Sequence, residues 1–127
     1  KVTGVQTCAL PIYLGNVDEE KLDRLYRHAL CTTFPSQYEG FGQPVIEAMT
    51  RGCPVISSTG GALPDTVGAG GITIPTELDQ WIEAVNTIRQ PDTRQQWVEH
   101  GFKRASNFSN NQTATAQLAV YNALLQQ

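Results

Sequence analysis

The chain has 127 residues, of which 40% are hydrophobic and 17% charged, and its formal net charge is −3. This composition is typical of one compact globular domain and excludes an intrinsically disordered chain. The acidic balance and the lack of a Lys/Arg cluster argue against a nucleic-acid partner, because phosphate binding requires clustered positive charge. Three scattered cysteines are too few for a disulfide framework or a zinc site, which favours a reducing, cytoplasmic compartment.

Residues 1–12 differ in pattern from the rest of the chain. They show no clean periodicity and lack the order of basic, apolar and small residues that defines a signal peptide. The stretch KVTGVQTCALPI resembles translated sequencing-adapter sequence, so we interpret residues 1–12 as a non-native or poorly ordered leader and residues 13–127 as the domain. The alternative interpretation is a native edge strand over Val2–Cys8.

Regular structure is predicted from Tyr13 onward. Tyr13 and Leu14 are compatible with the end of a strand, and Asp18 occupies a typical helix N-cap position. The acidic pair after Asp18 suits the positive end of a helix. Apolar residues then recur with helical spacing at Leu22, Leu25, Tyr26 and Ala29.

Short β-rich runs and helices alternate over the remaining chain. The predicted strands are Leu30–Phe34, Pro54–Ser57 and Gly71–Ile74. The predicted helices are Gln43–Arg51, Glu77–Arg89, Asp92–Ser106 and Asn110–Leu125, with a loop over Ser58–Asp65. This alternation predicts an α/β fold with parallel strands and C-terminal helices. Three or four strands form a partial doubly wound sheet, since a complete nucleotide-binding domain of this type has about six.

The stretch most informative about function follows the first of these strands and enters the Gln43–Arg51 helix. Ligands of open α/β sheets bind at this carboxyl edge. Gly40 and Gly42 lack side chains and would let the backbone approach a ligand closely, although glycine near a helix start is also common in plain turns. The N–H groups of Phe41, Gly42 and Gln43 are candidate helix-start donors for a diphosphate.

Two carboxylates flank these glycines. Glu39 precedes them and Glu47 follows within the helix, with seven residues between the two. Each carboxylate offers two acceptor oxygens, which match vicinal sugar hydroxyls. Either acid alone would be read as a solvated loop charge or as a partner of the helix dipole, whereas the pair indicates a site for a nucleotide-diphosphate sugar. The pair Gly60-Gly61 would form a second loop at the same edge or a purely structural turn.

The segment E-G-F-G-Q-P-V-I-E over 39–47 resembles the E-x7-E signature of retaining GT-B glycosyltransferases, in the family called glycosyl transferases group 1. The resemblance extends from Tyr13 to Gln127 and includes Y-L-G-N-V-D-E-E-K-L, P-S-Q-Y-E-G-F-G, E-A-M-T-R-G-C-P-V-I-S, G-G-A-L-P-D and a late F-S. It implies the distal half of the Rossmann-like C-terminal domain of that fold.

The resemblance also implies roles for individual residues. Glu39 would be the catalytic residue that holds the transferred hexose and stabilises charge at the reacting centre, and Glu47 would bind the ribose. The glycine-rich segment (Gly40, Phe41, Gly42 and Gln43) would bind the donor sugar and its phosphates. Val17 would lie near the nucleobase. The family typically needs no bound metal and no other cofactor, and the chain has no Asp-x-Asp motif.

The chain departs from the family pattern at two places. The basic residues that clamp the diphosphate in this family have no match in the chain, and the resemblance implies that the N-terminal domain, which supplies the acceptor site, lies outside it. We therefore expect the isolated chain to be inactive, with a glycan, lipid or small molecule as the acceptor of its parent protein. The parent is expected in the cytoplasm, either free or at the inner membrane face. The apolar face of the last helix, which crosses to the N-terminal domain in this family, should then be exposed at Leu118, Tyr121 and Leu125.

Two other functions are compatible with the sequence. One is a noncatalytic nucleotide-binding module that keeps the fold. The other is a sugar-nucleotide epimerase or a phosphorylase on the same fold, although the spacing of Glu39 and Glu47 around the glycines favours a transferase.

Overall fold

The computed structural model describes residues 11–126, in which three short parallel strands are surrounded by helices. The strands are β1 (Thr32–Phe34), β2 (Val55–Ser57) and β3 (Ile72–Thr73). The helices are α1 (Glu19–His28), α2 (Gln43–Thr50), α3 (Leu63–Val67), α4 (Leu78–Ile88), α5 (Pro91–Ala105) and α6 (Asn110–Leu125), and a 3-10 turn covers Gly68–Gly70.

The sheet has the order β1-β2-β3 with both pairs parallel. Thr32 lies opposite Val55, and Ile56 lies opposite Ile72. Helix α2 connects the first pair and α3 connects the second. The predicted α/β fold and its three strands are confirmed, with strands slightly shorter than the sequence suggested.

Two apolar clusters lie on opposite faces of the sheet, because successive residues of a strand point to opposite sides. Val55 of β2 packs into a cluster with residues of α2 and α3, whereas the next residue, Ile56, packs with Ala84 and Ile88 of α4. Met49 and Leu63 are fully buried in the first cluster. The helices therefore cover both faces, as in a doubly wound sheet.

Helix α1 is attached to α2 through Asp23. The Asp23 carboxylate accepts hydrogen bonds from Arg27 at 2.6 Å and from Arg51, beyond the end of α2, at 3.0 Å. These contacts, the Arg27 hydrogen bond first, lower the pKa of Asp23 below its usual value. The Tyr26 hydroxyl donates a weak hydrogen bond to the Pro44 carbonyl at 3.5 Å, and the Arg51 guanidinium lies over the Tyr26 ring. Asp18 is the N-cap of α1, as predicted, and accepts from the Lys21 N–H at 2.7 Å.

Two sequence predictions about local structure are wrong. Tyr13 and Leu14 do not end a strand: they have no regular secondary structure, and Tyr13 is 95% exposed. The predicted loop over Ser58–Asp65 contains the start of α3, a short helix that buries Leu63 and Thr66. Most of the interpreted leader over 1–12, and the alternative strand over Val2–Cys8, lie outside the described residues.

The last helix, α6, contains no buried residue. Leu118, Tyr121 and Leu125 are 59%, 60% and 85% exposed, which confirms the predicted exposure of this face. None of the helices between residues 11 and 126 has the length and apolar character required to cross a membrane.

Candidate functional site

The candidate site lies where the connections that follow β1 and β2 meet. Since the strands are parallel, both connections leave the same edge of the sheet. The first connection runs from Pro35 to Gly42 and enters α2, and the second runs from Ser58 to Ala62 and enters α3. The functional residues predicted from the sequence are concentrated in the first connection and in α2.

The two connections are packed against each other through backbone atoms. A Cβ atom at Gly60 would lie 2.4 Å from the Ser36 carbonyl oxygen, and one at Gly61 would lie 2.4 Å from the Glu39 carbonyl oxygen. The Ala62 N–H donates to that same Glu39 carbonyl at 2.9 Å. The pair Gly60-Gly61 therefore forms a structural turn that holds the backbone of Glu39 in place.

Ser58 strengthens this attachment at the start of the second connection. It is almost fully buried, and its N–H donates to the Phe34 carbonyl at 3.1 Å. Its hydroxyl donates to the Ser36 carbonyl. The segment that carries Glu39 is thus bound at both ends, while the Glu39 carboxylate has no hydrogen-bond or ion-pair partner among the residues that the structure describes.

Gly40 and Gly42 have different structural environments. A Cβ atom at Gly40 would meet no protein atom within 4 Å, so this position is open for close approach of a ligand. Gly42 is the N-cap of α2 with φ 87°, and a Cβ atom there would lie 2.7 Å from Leu63. Gly42 is therefore required by backbone conformation and by packing against α3, a reason that the sequence prediction did not include.

The predicted donors lie at the start of α2. Within the described part of the chain, no hydrogen bond from the N–H of Phe41, Gly42 or Gln43 is present. Pro44, inside the first turn, has no N–H, and the Val45 N–H donates to the Gly42 carbonyl at 3.0 Å. Three consecutive N–H groups thus lie unpaired at the positive end of α2, where an anion is favourably bound.

Glu47 begins the second turn of α2 and is half-buried. Helix-dipole stabilisation falls off within the first turn, so it does not account for an acid at this position. Burial raises the pKa of Tyr26, and the negative charge of Glu47 contributes to this rise. No hydrogen bond or ion pair of the Glu47 carboxylate occurs among residues 11–126.

Two further predictions concern the nucleobase and metals. Val17 is half-buried and immediately precedes the α1 N-cap Asp18, and its place beside the nucleobase stays a prediction. No group of three His, Cys, Asp or Glu side chains that could hold a metal ion occurs in the described residues.

Comparison with known proteins decides the family. The sequence pattern of the family described as "Glycosyl transferases group 1" matches residues 11–104, most of the chain. The chain belongs to the glycosyl transferases group 1 family. Among curated relatives, it is 37% identical over 114 residues to the O-antigen chain mannosyltransferase B of Escherichia coli, covering 88% of this chain and 30% of that protein. It is 32% identical to the MMP alpha-(1->4)-mannosyltransferase of Mycolicibacterium hassiacum, covering 84% of this chain and 28% of that protein.

The solved structures include a close match in fold to this group 1 chain. Sucrose-phosphate synthase from Thermosynechococcus elongatus superposes with a TM-score of 0.76 at 28% identity, over 91% of this chain and 30% of that one. The three-stranded parallel sheet with its helices is thus similar to part of a GT-B fold. The chain spans less than a third of the length of each of these three proteins.

Three residues outside the predicted site contact the glycine-rich segment of this glycosyltransferase chain, either directly or, for Arg104, through the other two. They are Thr66, Arg104 and Phe108, of which the last two follow Phe41 by more than 60 positions. The hydroxyl of Thr66 donates to the Phe41 carbonyl, and the Phe108 ring packs on the Phe41 ring. In the sequence, only the F-S match to the family at Phe108 pointed to any of the three residues. Residues so far apart in the chain show no local sequence pattern that would predict their contact.

Proposed function

We propose that this chain forms part of the donor-binding domain of a retaining glycosyltransferase that uses a nucleotide-diphosphate hexose without a bound metal. The observation that carries the proposal is the row of N–H groups at Phe41, Gly42 and Gln43, which are unpaired within residues 11–126. Glu39 and Glu47 flank this row along the sequence, and their carboxylates have no hydrogen-bond or ion-pair partner in the same part of the chain. Membership of the glycosyl transferases group 1 family supports sugar transfer, and the two mannosyltransferases among its relatives make a hexose a reasonable donor sugar.

In this proposal the positive end of α2 binds the diphosphate. When the bond from the anomeric carbon to the diphosphate breaks, its electron pair leaves on the nucleoside diphosphate. The oxygen of an acceptor hydroxyl forms a bond to that carbon, and the proton of this hydroxyl passes to the departing diphosphate oxygen. The N–H groups of Phe41–Gln43 stabilise the departing negative charge, because preorganised donors act strongly where charge develops. Retention at the anomeric carbon is proposed from the E-x7-E resemblance alone.

The two acids have separate roles in the proposal. Glu39, held by the turn at Gly60-Gly61, binds the transferred hexose and stabilises positive charge at the reacting carbon. Glu47, on the helix, accepts hydrogen bonds from the ribose hydroxyls. Hydrogen bonds to a charged acceptor contribute about 1.5–3 kcal/mol, so loss of Glu47 should weaken donor binding roughly tenfold to a hundredfold.

The first experiment measures binding of UDP-, GDP- and ADP-sugars to the 127-residue chain by calorimetry and saturation-transfer NMR. We expect one nucleotide class to bind, Glu47→Ala to weaken it, and Glu83→Gln, on an exposed part of α4, to leave it unchanged. If none of the three nucleotide classes binds to the wild-type chain, the proposed donor site is wrong.

The second experiment separates catalysis from binding in the parent protein. Glu39→Ala should chiefly lower kcat, whereas Glu47→Ala should chiefly raise the donor KM. The isolated chain should show no turnover, because transfer requires donor and acceptor held together in one closed site. Equal and negligible effects of both substitutions would refute the two assignments, and turnover by the 127-residue chain would refute its predicted inactivity.

We place the parent in the cytoplasm, where its acceptor is a glycan, a lipid or a small molecule bound by a further domain.

A further inference from the structure

Phe41, at the centre of the glycine-rich segment, is held from two directions. Its carbonyl accepts a hydrogen bond from the hydroxyl of Thr66, which is 3% exposed on α3. Its ring packs edge-to-face on Phe108, with ring centroids 5.5 Å apart and an angle of 75° between the planes. Since Phe41 itself is 43% exposed, burial in the core does not determine its position.

Arg104 of α5 connects these two contacts. Its Nε donates to the Thr66 carbonyl at 3.0 Å, and a second guanidinium nitrogen donates to the Asp65 carbonyl. The same guanidinium lies 4.8 Å from the centre of the Phe108 ring, within the range of a cation–π contact. Arg104 thus satisfies carbonyls at the end of the short helix α3, which otherwise lack partners within that helix.

The hydrogen bond from Thr66 also affects the orientation of the neighbouring Gly42 N–H. The Phe41 carbonyl and the Gly42 N–H belong to one planar peptide group, and no cis peptide occurs in the described residues. In a trans peptide the C=O and N–H bonds point in opposite directions. The hydrogen bond from Thr66 therefore directs the Gly42 N–H, which has no hydrogen-bond partner among residues 11–126, away from the Thr66 hydroxyl.

We infer that Thr66, Arg104 and Phe108 are positioning residues that orient the Gly42 N–H toward the diphosphate of the donor. This inference rests on the proposed function, in which that N–H binds a phosphate oxygen. None of the three residues touches the ligand; they act through the Phe41–Gly42 peptide group. An orientation set in advance avoids the entropic cost of ordering the segment when the ligand binds.

The test compares two substitutions of Thr66 that change different atoms. Thr66→Val keeps the shape of the side chain and removes the hydroxyl, whereas Thr66→Ser keeps the hydroxyl and removes a methyl group. Arg104→Ala is compared with Lys103→Ala, a neighbouring exposed position of the same charge. For each folded variant, NMR records the Gly42 amide signal without ligand, and calorimetry measures the Kd for UDP, GDP and ADP.

We expect Thr66→Val to shift the Gly42 amide signal and to raise the Kd about fivefold to tenfold, the typical effect of one hydrogen bond. Arg104→Ala should act in the same direction, while Thr66→Ser and Lys103→Ala should stay within about twofold. A purely structural role would lower the Tm of Thr66→Val and Arg104→Ala and leave the Kd unchanged, which would overturn the inference alone. If the wild-type chain binds none of the three nucleotides, the proposed function and the inference are both overturned.

Discussion

Replacement of Gly42 by alanine tests whether the start of α2 is built as the structure indicates. Gly42 has φ 87°, where an L-residue with a side chain is strained by about 1–2 kcal/mol. Its new Cβ atom would lie 2.7 Å from Leu63, which is fully buried and must shift. Overpacking of this kind typically adds about 1–3 kcal/mol. We therefore expect Gly42→Ala to lower the free energy of unfolding by about 2–5 kcal/mol, a large fraction of the stability of a domain.

The assay is urea unfolding followed by circular dichroism, with Gly40→Ala as the matched control. A Cβ atom at Gly40 meets no protein atom within 4 Å, so this variant should unfold within about 0.5 kcal/mol of the wild type. Its methyl group would instead intrude into the space proposed for the donor and weaken nucleotide binding. Equal stability of Gly42→Ala and the wild type, or equal loss in both variants, would refute the reasoning.

Three other predictions concern stability and reactivity. The pKa of Asp23 is lower in the folded chain than in the unfolded chain. The Asp23 carboxylate therefore stabilises the fold fully at a pH above the usual aspartate pKa, and this stabilisation is lost as the pH falls through the pKa of the folded chain. The Tm difference between the wild type and Asp23→Asn should accordingly be full at neutral pH and disappear in acid. Burial raises the pKa of the Cys31 and Cys53 thiols, so iodoacetamide should alkylate both more slowly in the native chain than in urea, as measured by peptide mass spectrometry. Gly61→Ala places a Cβ atom 2.4 Å from the Glu39 carbonyl oxygen and should destabilise the chain by about 1–3 kcal/mol in thermal unfolding; an unchanged Tm would contradict the close packing of the two connections.

The site shows which kinds of functional residue can be found in a single sequence. Glu39, Glu47 and the glycines between them could be proposed from the sequence because they lie within nine consecutive residues on one strand–loop–helix connection. The roles of the two acids stay predictions, because no hydrogen bond or ion pair in the described residues involves their carboxylates. The structure adds that the backbone of Glu39 is held by Gly60-Gly61, a function the sequence could not distinguish from a second ligand loop.

The amino-acid sequence by itself determined the order of the main helices and strands, the parallel α/β fold and the position of the glycine-rich segment. These depend on local features: the Asp18 cap, the spacing of apolar residues, and short β-rich runs followed by turn residues. Only the tertiary structure decided why Gly42 must be glycine, that α3 begins at Leu63, and that Thr66 and Phe108 hold Phe41. The physical reason is that the contacts of Gly42 and Phe41 join residues about 20 to 70 positions apart in the sequence. Tertiary packing brings these residues together, and no periodic pattern along the chain reports it.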